Sequence, residues 1–207
     1  MQIKYQNILL RDMRESDIAD DIYWRTVETR WTDWDAPWEP LDPAFDPAAY
    51  RRGALERLQK PLPDHRLEFE VDTAAGTHIG SVNTYCLDEN LEWTRPEASE
   101  ELRAQRWAVG IDINDPACWS GGWGTQALTA FVRYHLAAGW TALYTQTWSG
   151  NVRMVGLAEK LGFRECRRRR GARQVRGGIY DALTLRLDPA AFAAHCERSA
   201  RCFGEEA

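Results

Sequence analysis

The segment Cys118–Leu128, CWSGGWGTQAL, sets Gly121, Gly122 and Gly124 among Trp119, Ser120 and Trp123, just before what reads as a helix start. Two readings suit it. Glycines allow a tight turn with φ > 0. They also let backbone N–H groups close on an anion, and the free N–H groups and dipole of a helix N-terminus favour negative charge there. A pyrophosphate fits that chemistry. A second stretch, Trp31-Thr32-Asp33-Trp34-Asp35-Ala36-Pro37-Trp38, mixes indole faces with carboxylates. It suits a cation such as an amine, a guanidinium or a peptide N-terminus. It equally suits a loop pinned to a core by its tryptophans. A third cluster, Arg167–Arg170 with Arg173 and Arg176, concentrates positive charge. Strand alternation divides those arginines between two faces. They are solvated, or they meet an acidic acceptor or a partner subunit; the aromatic interleaving of a nucleic-acid stacking platform is absent.

The elements that must position these residues can be read from periodicity. A first strand is expected near Ile3–Leu10, followed by a helix capped by Ser16 with Ile18, Ile22 and Val27 on one face. The Trp/Asp/Pro-rich stretch cannot be a regular element. Asp46-Pro47 opens a second helix to about Lys60. LEFEVD, over Leu67–Asp72, alternates as a strand and pairs with His78–Leu87 across the Ala75-Gly76 turn. Asp88–Leu102 reads as a polar loop. Arg106–Ile113 is a strand, followed by the glycine turn, a helix to about Ala138, a strand at Ala142–Trp148 and a short helix at Val152–Leu161. Phe163–Arg169 and Ile179–Leu187 form a last strand pair, and Asp188-Pro189 caps a terminal helix to about Phe203. This order predicts a mixed α/β (α+β) domain over 1–187 and a helical extension over 188–207.

Composition narrows the classes. The 207 residues are 44% hydrophobic and 28% charged, enough apolar content for a core. No run of about 18 apolar residues predicts a membrane span, and the charged N-terminal stretch does not read as a signal peptide, so a cytoplasmic location is expected. The five cysteines (Cys86, Cys118, Cys166, Cys196, Cys202) form no CxxC pair, and the four histidines show no ligand spacing; no metal is expected. A net charge of −5 disfavours general nucleic-acid binding.

Two nucleotide motifs fail on the glycine stretch. A phosphate-binding Walker loop needs Lys after its last glycine, and Thr125 stands there instead. A dinucleotide fingerprint is approximated by Gly122–Ala127, but the following strand, TALYTQTW, ends without an acid to hold a ribose. Gly110-Ile111-Asp112-Ile113 followed by Trp119–Leu128 instead resembles the acetyl-CoA-binding motif of the GCN5-related N-acetyltransferase (GNAT) family, R/Q-x-x-G-x-G/A. Trp119 stands at the Arg/Gln position, with Gly122 and Gly124 at the glycines. Asn151–Phe163 (NVRMVGLAEKLGF) resembles a second motif, N-x-x-S-x-x-x-x-E-K-x-G-F, of the branch holding the ribosomal-protein N-terminal (RimJ/RimL-type) acetyltransferases.

The resemblance implies a mixed central sheet of about seven strands flanked by helices. It implies acetyl-CoA as co-substrate, with its pyrophosphate on N–H groups from Gly121 to Thr125, Trp119 and Ser120 of the same turn as further cofactor contacts, and its pantetheine along the backbone of Ile111 and Ile113, beside Asn151. Asn151 also reads as a helix N-cap, and Trp119 and Trp123 as packing residues. The acceptor implied is a primary amine, on a small molecule or a protein N-terminus, attacking directly in a ternary complex. A homodimer is compatible. An amine with a pKa of about 10.4 must lose its proton first. Yet the residues at the family's usual acid and base positions are Ala108, Met154 and Ala158. Asp112 is the candidate base, since it falls where the thioester should sit; Trp31, Trp34, Asp35, Asn83, Tyr85 and Trp148 are candidates to line the acceptor. The missing acid and base leave a non-catalytic acyl-CoA-binding module as the alternative.

Overall fold

A computed structural model describes residues 1–39, 41–96 and 101–203, with side chains to residue 200. The chain opens with a hairpin, β1 (Gln2–Tyr5) and β2 (Ile8–Arg11), rather than one strand. Gln6 turns the chain with φ +49°, which divides the expected Ile3–Leu10 strand in two. Helix α1 (Asp17–Thr26) is not capped by the Ser16 side chain. Asp17 instead accepts the Arg14 N–H at 2.6 Å, which fixes the chain just ahead of the helix. Helix α2 (Pro47–Leu58) does begin on Asp46, whose carboxylate accepts the Ala48 N–H at 2.9 Å. The hairpin β3 (Glu68–Thr73) and β4 (His78–Leu87) follows. A two-residue strand β5 (Trp93–Thr94) lies in the predicted loop and pairs with the end of β4. Then come β6 (Arg106–Ile113), α3 (Trp123–Ala137), β7 (Leu143–Trp148), α4 (Val152–Leu161), β8 (Phe163–Val175), β9 (Gly178–Leu187) and α5 (Pro189–Phe203). The last hairpin is longer than expected because Arg176 and Gly177 both take positive φ, +49° and +80°, the tight-turn geometry that keeps flanking strands paired.

The nine strands form one sheet in the order β1-β2-β3-β4-β6-β7-β9-β8, with β5 on β4, so the expected sheet of about seven strands gains the split first strand and β5. Neighbours are antiparallel except β6 and β7. One face packs on α3 and α4 through Phe69, Val71, Val82, Trp107, Val109, Leu128, Phe131, Leu143, Ala158 and Leu161. Phe192 of α5 joins that core, and Asp188 accepts the Ala190 and Ala191 N–H groups at 3.0 and 3.1 Å to start the helix. Cys202 and residues 204–207 lie outside the described side chains.

The opposite face is polar and lies beneath α1 and the segment after it. Register aligns Glu70, Ser81 and Asp112 in one row and Glu68, Asn83 and Gly110 in the next. A buried ion pair set docks α1 here: Arg11 holds Asp17 at 2.6 Å and Asp72 at 2.5 Å. His78 lies between Asp20 and Glu70, 3.0 Å from each, and those carboxylates push its pKa up to about 9 against the opposing effect of burial.

Candidate active site

The parallel pair explains where the site lies. Strands β6 and β7 pair only at Trp107↔Leu143 and Ala108↔Tyr144, then diverge. Val109 C=O, the next acceptor on that edge, is taken by the Thr145 hydroxyl at 2.9 Å. Trp107 N–H donates to Ala142 O and Asn114 N–H to Ile79 O, so alternation turns the N–H and C=O of Ile111 and the N–H of Ile113 toward the opening. The wedge is therefore edged by backbone groups that can pair with an extended, amide-bearing ligand as a strand would.

The glycine turn closes one mouth of the wedge. Asp115 accepts the Ala117 N–H at 2.9 Å and holds a single helical turn over Pro116–Cys118. Ser120 and Gly122 then take φ of +63° and +81°, reversing the chain into α3. Gln126 N–H is the first of α3 to find a helical acceptor, Gly122 O at 3.1 Å. Among the described residues, no acceptor meets the N–H groups from Ser120 to Thr125. Six consecutive donors at a helix N-terminus can take a diphosphate. The Trp119 indole donates to Ile113 O at 2.7 Å, fastening the turn to the strand end. A Cβ on Gly124 would lie 3.7–3.8 Å from Ile113, Ile111 and Leu157, so α3 begins in van der Waals contact with β6 and α4.

On the polar face the wedge widens into a cavity of about 480 Å³. Its roof is the segment after α1. Trp34 C=O accepts from Asn151 Nδ2 at 2.7 Å and from the Trp148 indole at 3.0 Å, while the Trp31 indole donates to Trp24 O at 2.8 Å. Asn151 thereby does two jobs, since its Oδ1 also accepts the Met154 N–H at 2.9 Å and caps α4. The Arg153 guanidinium lies over both Trp34, at 4.6 Å, and Trp119, at 4.5 Å, joining the roof to the glycine turn.

Beneath the roof, Asp35 and Asp112 share the cavity. Burial, with the Asp35 charge adding to it, pushes Asp112 up to about 7, and Arg25 opposes the shift. Asp35 is raised by burial and by Glu39. Neither carboxylate accepts a hydrogen bond from a described side chain, unlike the paired acids of the α1 cluster. Tyr85 donates to Gln146 Oε1 at 3.1 Å, and burial together with Asp35 raises its pKa, so the phenol stays protonated. Asn83 lies across Gly110, where a Cβ would meet its Oδ1 at 2.6 Å. A carboxylate that titrates near neutrality beside an open volume can take a proton from a cationic amine.

The cavity brings together the candidates Trp31, Trp34, Asp35, Asn83, Tyr85, Asp112 and Asn151 with Ile111, Ile113, Trp119, Ser120, Gly122, Gly124 and Thr125. Gly121, Trp123 and Trp148 do not line it. Trp123 packs on the core with its indole beside Gly121. Trp148 is 4% exposed, wedged edge-on against Trp38 and Tyr180 beneath the roof. Sequence reasoning missed Arg153 and Gln146. The alternation of Tyr144, Gln146 and Trp148 along β7 could have placed Gln146 on this face; nothing in the sequence marks Arg153.

The acetyltransferase (GNAT) domain family matches residues 7–164. Among solved structures, an acetyltransferase (GNAT family) from Bacillus anthracis is 13% identical, with a TM-score of 0.64 over 90% of this chain and 98% of that one. The ribosomal-protein-S5-alanine acetyltransferase of Vibrio fischeri is 16% identical, with a TM-score of 0.65 over 90% and 95%. RimL, a ribosomal-protein alpha-N-acetyltransferase in complex with coenzyme A, is 11% identical, with a TM-score of 0.65 over 90% and 97%. No curated protein matches the chain. Among the described residues no helix is long and apolar enough to cross a membrane.

Proposed function

The chain belongs to the acetyltransferase (GNAT) domain family, and we propose that its wedge cavity is where it moves an acetyl group from acetyl-CoA to a cationic primary amine, on a small molecule or a peptide N-terminus. The observation that carries this reading is the charge order of one cavity. Among the described residues, six N–H groups of the glycine turn meet no acceptor, and Asp35 and Asp112 line the same cavity beneath its roof.

The residues fit the co-substrate. The donors from Ser120 to Thr125 suit its pyrophosphate, and the open edge at Ile111 and Ile113 suits the amides of its pantetheine arm. When bound, acetyl-CoA supplies a thioester carbonyl and a thiolate leaving group. Asp35 and Asp112 attract the acceptor's ammonium ion into a volume flanked by Trp31 and Trp34. With a pKa near 7, Asp112 takes one proton from it at neutral pH and leaves a nucleophilic amine. The Tyr85 hydroxyl, held by Gln146 Oε1 at 3.1 Å and kept protonated by burial and Asp35, is a neutral hydrogen-bonding group on the same side of the cavity. Asn151 acts by position, holding Trp34 over the site.

A panel of primary amines and short peptides, scored by thiol release from acetyl-CoA and by mass of the product, tests the reading. Acetylated amine from at least one cationic member is the expected result. Thiol release that stays at the amine-free background across the panel would leave an acyl-CoA-binding module in its place.

A further inference from the structure

The polar face continues past Tyr85 and Gln146. A second cavity, of about 270 Å³, shares Asp35, Tyr85, Gln146 and Thr147 with the first and is walled on its far side by Arg167, Arg169 and Arg173 of β8. No residue of the glycine turn lines it. A single extra residue sets which arginines face it. Glu165 pairs with Leu185 but Arg167 pairs with Thr184, so Cys166 bulges and the alternation of β8 reverses. Arg167 and Arg169 thereby join the face of Thr184 and Ala182, which carries Gln146 and Trp148 of β7. Arg168 turns to the other face, where Glu165 and Asp181 satisfy it at 2.6 and 2.7 Å.

The arginines lining the cavity are not satisfied in that way. Arg167 and Arg169 share a single carboxylate, Glu92, at 2.9 and 3.2 Å. Arg173 has no carboxylate partner among the described residues; it lies over the Trp38 ring at 4.3 Å and donates to Ala172 O at 3.3 Å. The joined cavities therefore carry excess positive charge at the β8 end and two carboxylates at the wedge end.

We infer that the acceptor carries an anionic group, a carboxylate or phosphate-type oxyanion, on the same molecule as its amine, with the ammonium held at Asp35 and Asp112 and the anion held at Arg167, Arg169 and Arg173. The inference rests on the reading of the wedge as the amine site and adds a substrate class to it. Guanidinium groups are suited to planar and tetrahedral oxyanions through paired N–H donors. Trp38 and the Glu92 side chain hold the arginines in place before the ligand arrives.

Matched acceptors differing only in the anion test it: 2-aminoethylphosphonate against ethanolamine, β-alanine against its amide, and Ala-Glu dipeptide amide against Ala-Gln dipeptide amide. The first two pairs report a free small acceptor and the third a peptide N-terminus. In at least one pair the anionic member should be preferred by about tenfold or more in kcat/KM. Arg173→Gln and Arg167→Gln should each erase most of that preference while leaving the neutral member within about twofold, which also shows that the variants fold. Equal use of both members in every pair, or a preference untouched by both substitutions, overturns the inference. If no acceptor in any pair is acetylated, the amine-transfer reading fails separately. Calorimetric binding of the same pairs to the CoA-loaded protein then decides the anion site, by tighter binding of the anionic member that Arg173→Gln abolishes, or by its absence.

Discussion

Replacing Asp112 by Asn removes one proton acceptor from the wedge with almost no change in volume, and the structure sets two effects of opposite sign. Catalysis should fall. A general base contributes on the order of 10²–10⁴ to rate, so kcat/KM for a cationic amine should drop by about that factor. The pH profile should lose its rise centred near 7. Stability should increase. Folding raises Asp112 from the ordinary carboxylate range to about 7, so the folded chain holds a proton that the unfolded chain has released. That group's favourable contribution is full below about pH 4 and is lost as pH climbs through 7. The difference between the ordinary value near 4 and about 7, at 1.36 kcal/mol for each tenfold change in acidity, caps the loss at about 4 kcal/mol. Solvent at the cavity mouth and relaxation of the pair with Asp35 reduce it to about 1–3 kcal/mol. Denaturant midpoints of wild type and Asp112→Asn, measured at pH 4 and pH 8.5, should be close at pH 4, with the variant more stable at pH 8.5. An Asp112→Asn enzyme that keeps its rate within threefold and its inflection near pH 7 would refute the assignment of the base. Equal stability at pH 8.5 would refute the burial argument beneath it.

Other perturbations separate the parts of the account. Gly122→Ala forces a side chain into φ +81° at the turn and should weaken CoA binding at least tenfold in titration calorimetry, whereas Gly124→Ala, with 3.7 Å of clearance, should leave affinity within about twofold. Gly110→Ala drives a Cβ against Asn83 Oδ1 and should raise the acceptor KM more than it weakens CoA binding. Among the described residues, Arg11→Ala leaves buried Asp17 and Asp72 only more distant cationic partners, His78 at 3.8 Å and Arg14 at 3.6 Å, and should cost about 3 kcal/mol in chemical denaturation. His78, raised to about 9, stabilises the fold fully below its ordinary range near 6.5; that contribution should fade between pH 6.5 and 9, and His78→Gln should flatten this part of the stability profile.

Much of the fold was legible because local rules and tertiary packing agree. Arg106–Ile113 and Val152–Leu161 begin and end where periodicity puts them, since Asn151 caps one end of α4 and Gly162, at φ +94°, closes the other. The glycine turn announced its backbone geometry through composition alone. Legibility failed where one residue changes register. Gln6 breaks the first strand by adopting a positive φ that its type does not advertise. The bulge at Cys166 decides which arginines face the cavity, yet the sequence shows only an unbroken run of them. The roof was half readable: tryptophans beside acids marked it, but whether they hold a ligand or the core depends on contacts from distant elements. Trp148 and Asn151 reach Trp34 across more than a hundred residues, and Arg153 slots between Trp34 and Trp119. No motif encodes such contacts.

Thermal stability of the purified chain with CoA, acetyl-CoA, ATP and NAD tests most directly the claim that the wedge and its glycine turn form an acetyl-CoA site. A ligand at a hundred times its Kd stabilises by about 2.7 kcal/mol, which for a chain of this size is a rise of roughly 5–10 °C in Tm. The account predicts that rise with CoA and acetyl-CoA, its fall to about half or less in Gly122→Ala at the same ligand concentration, and little response to ATP or NAD. No rise with either CoA compound, or a larger one with ATP or NAD, would contradict it.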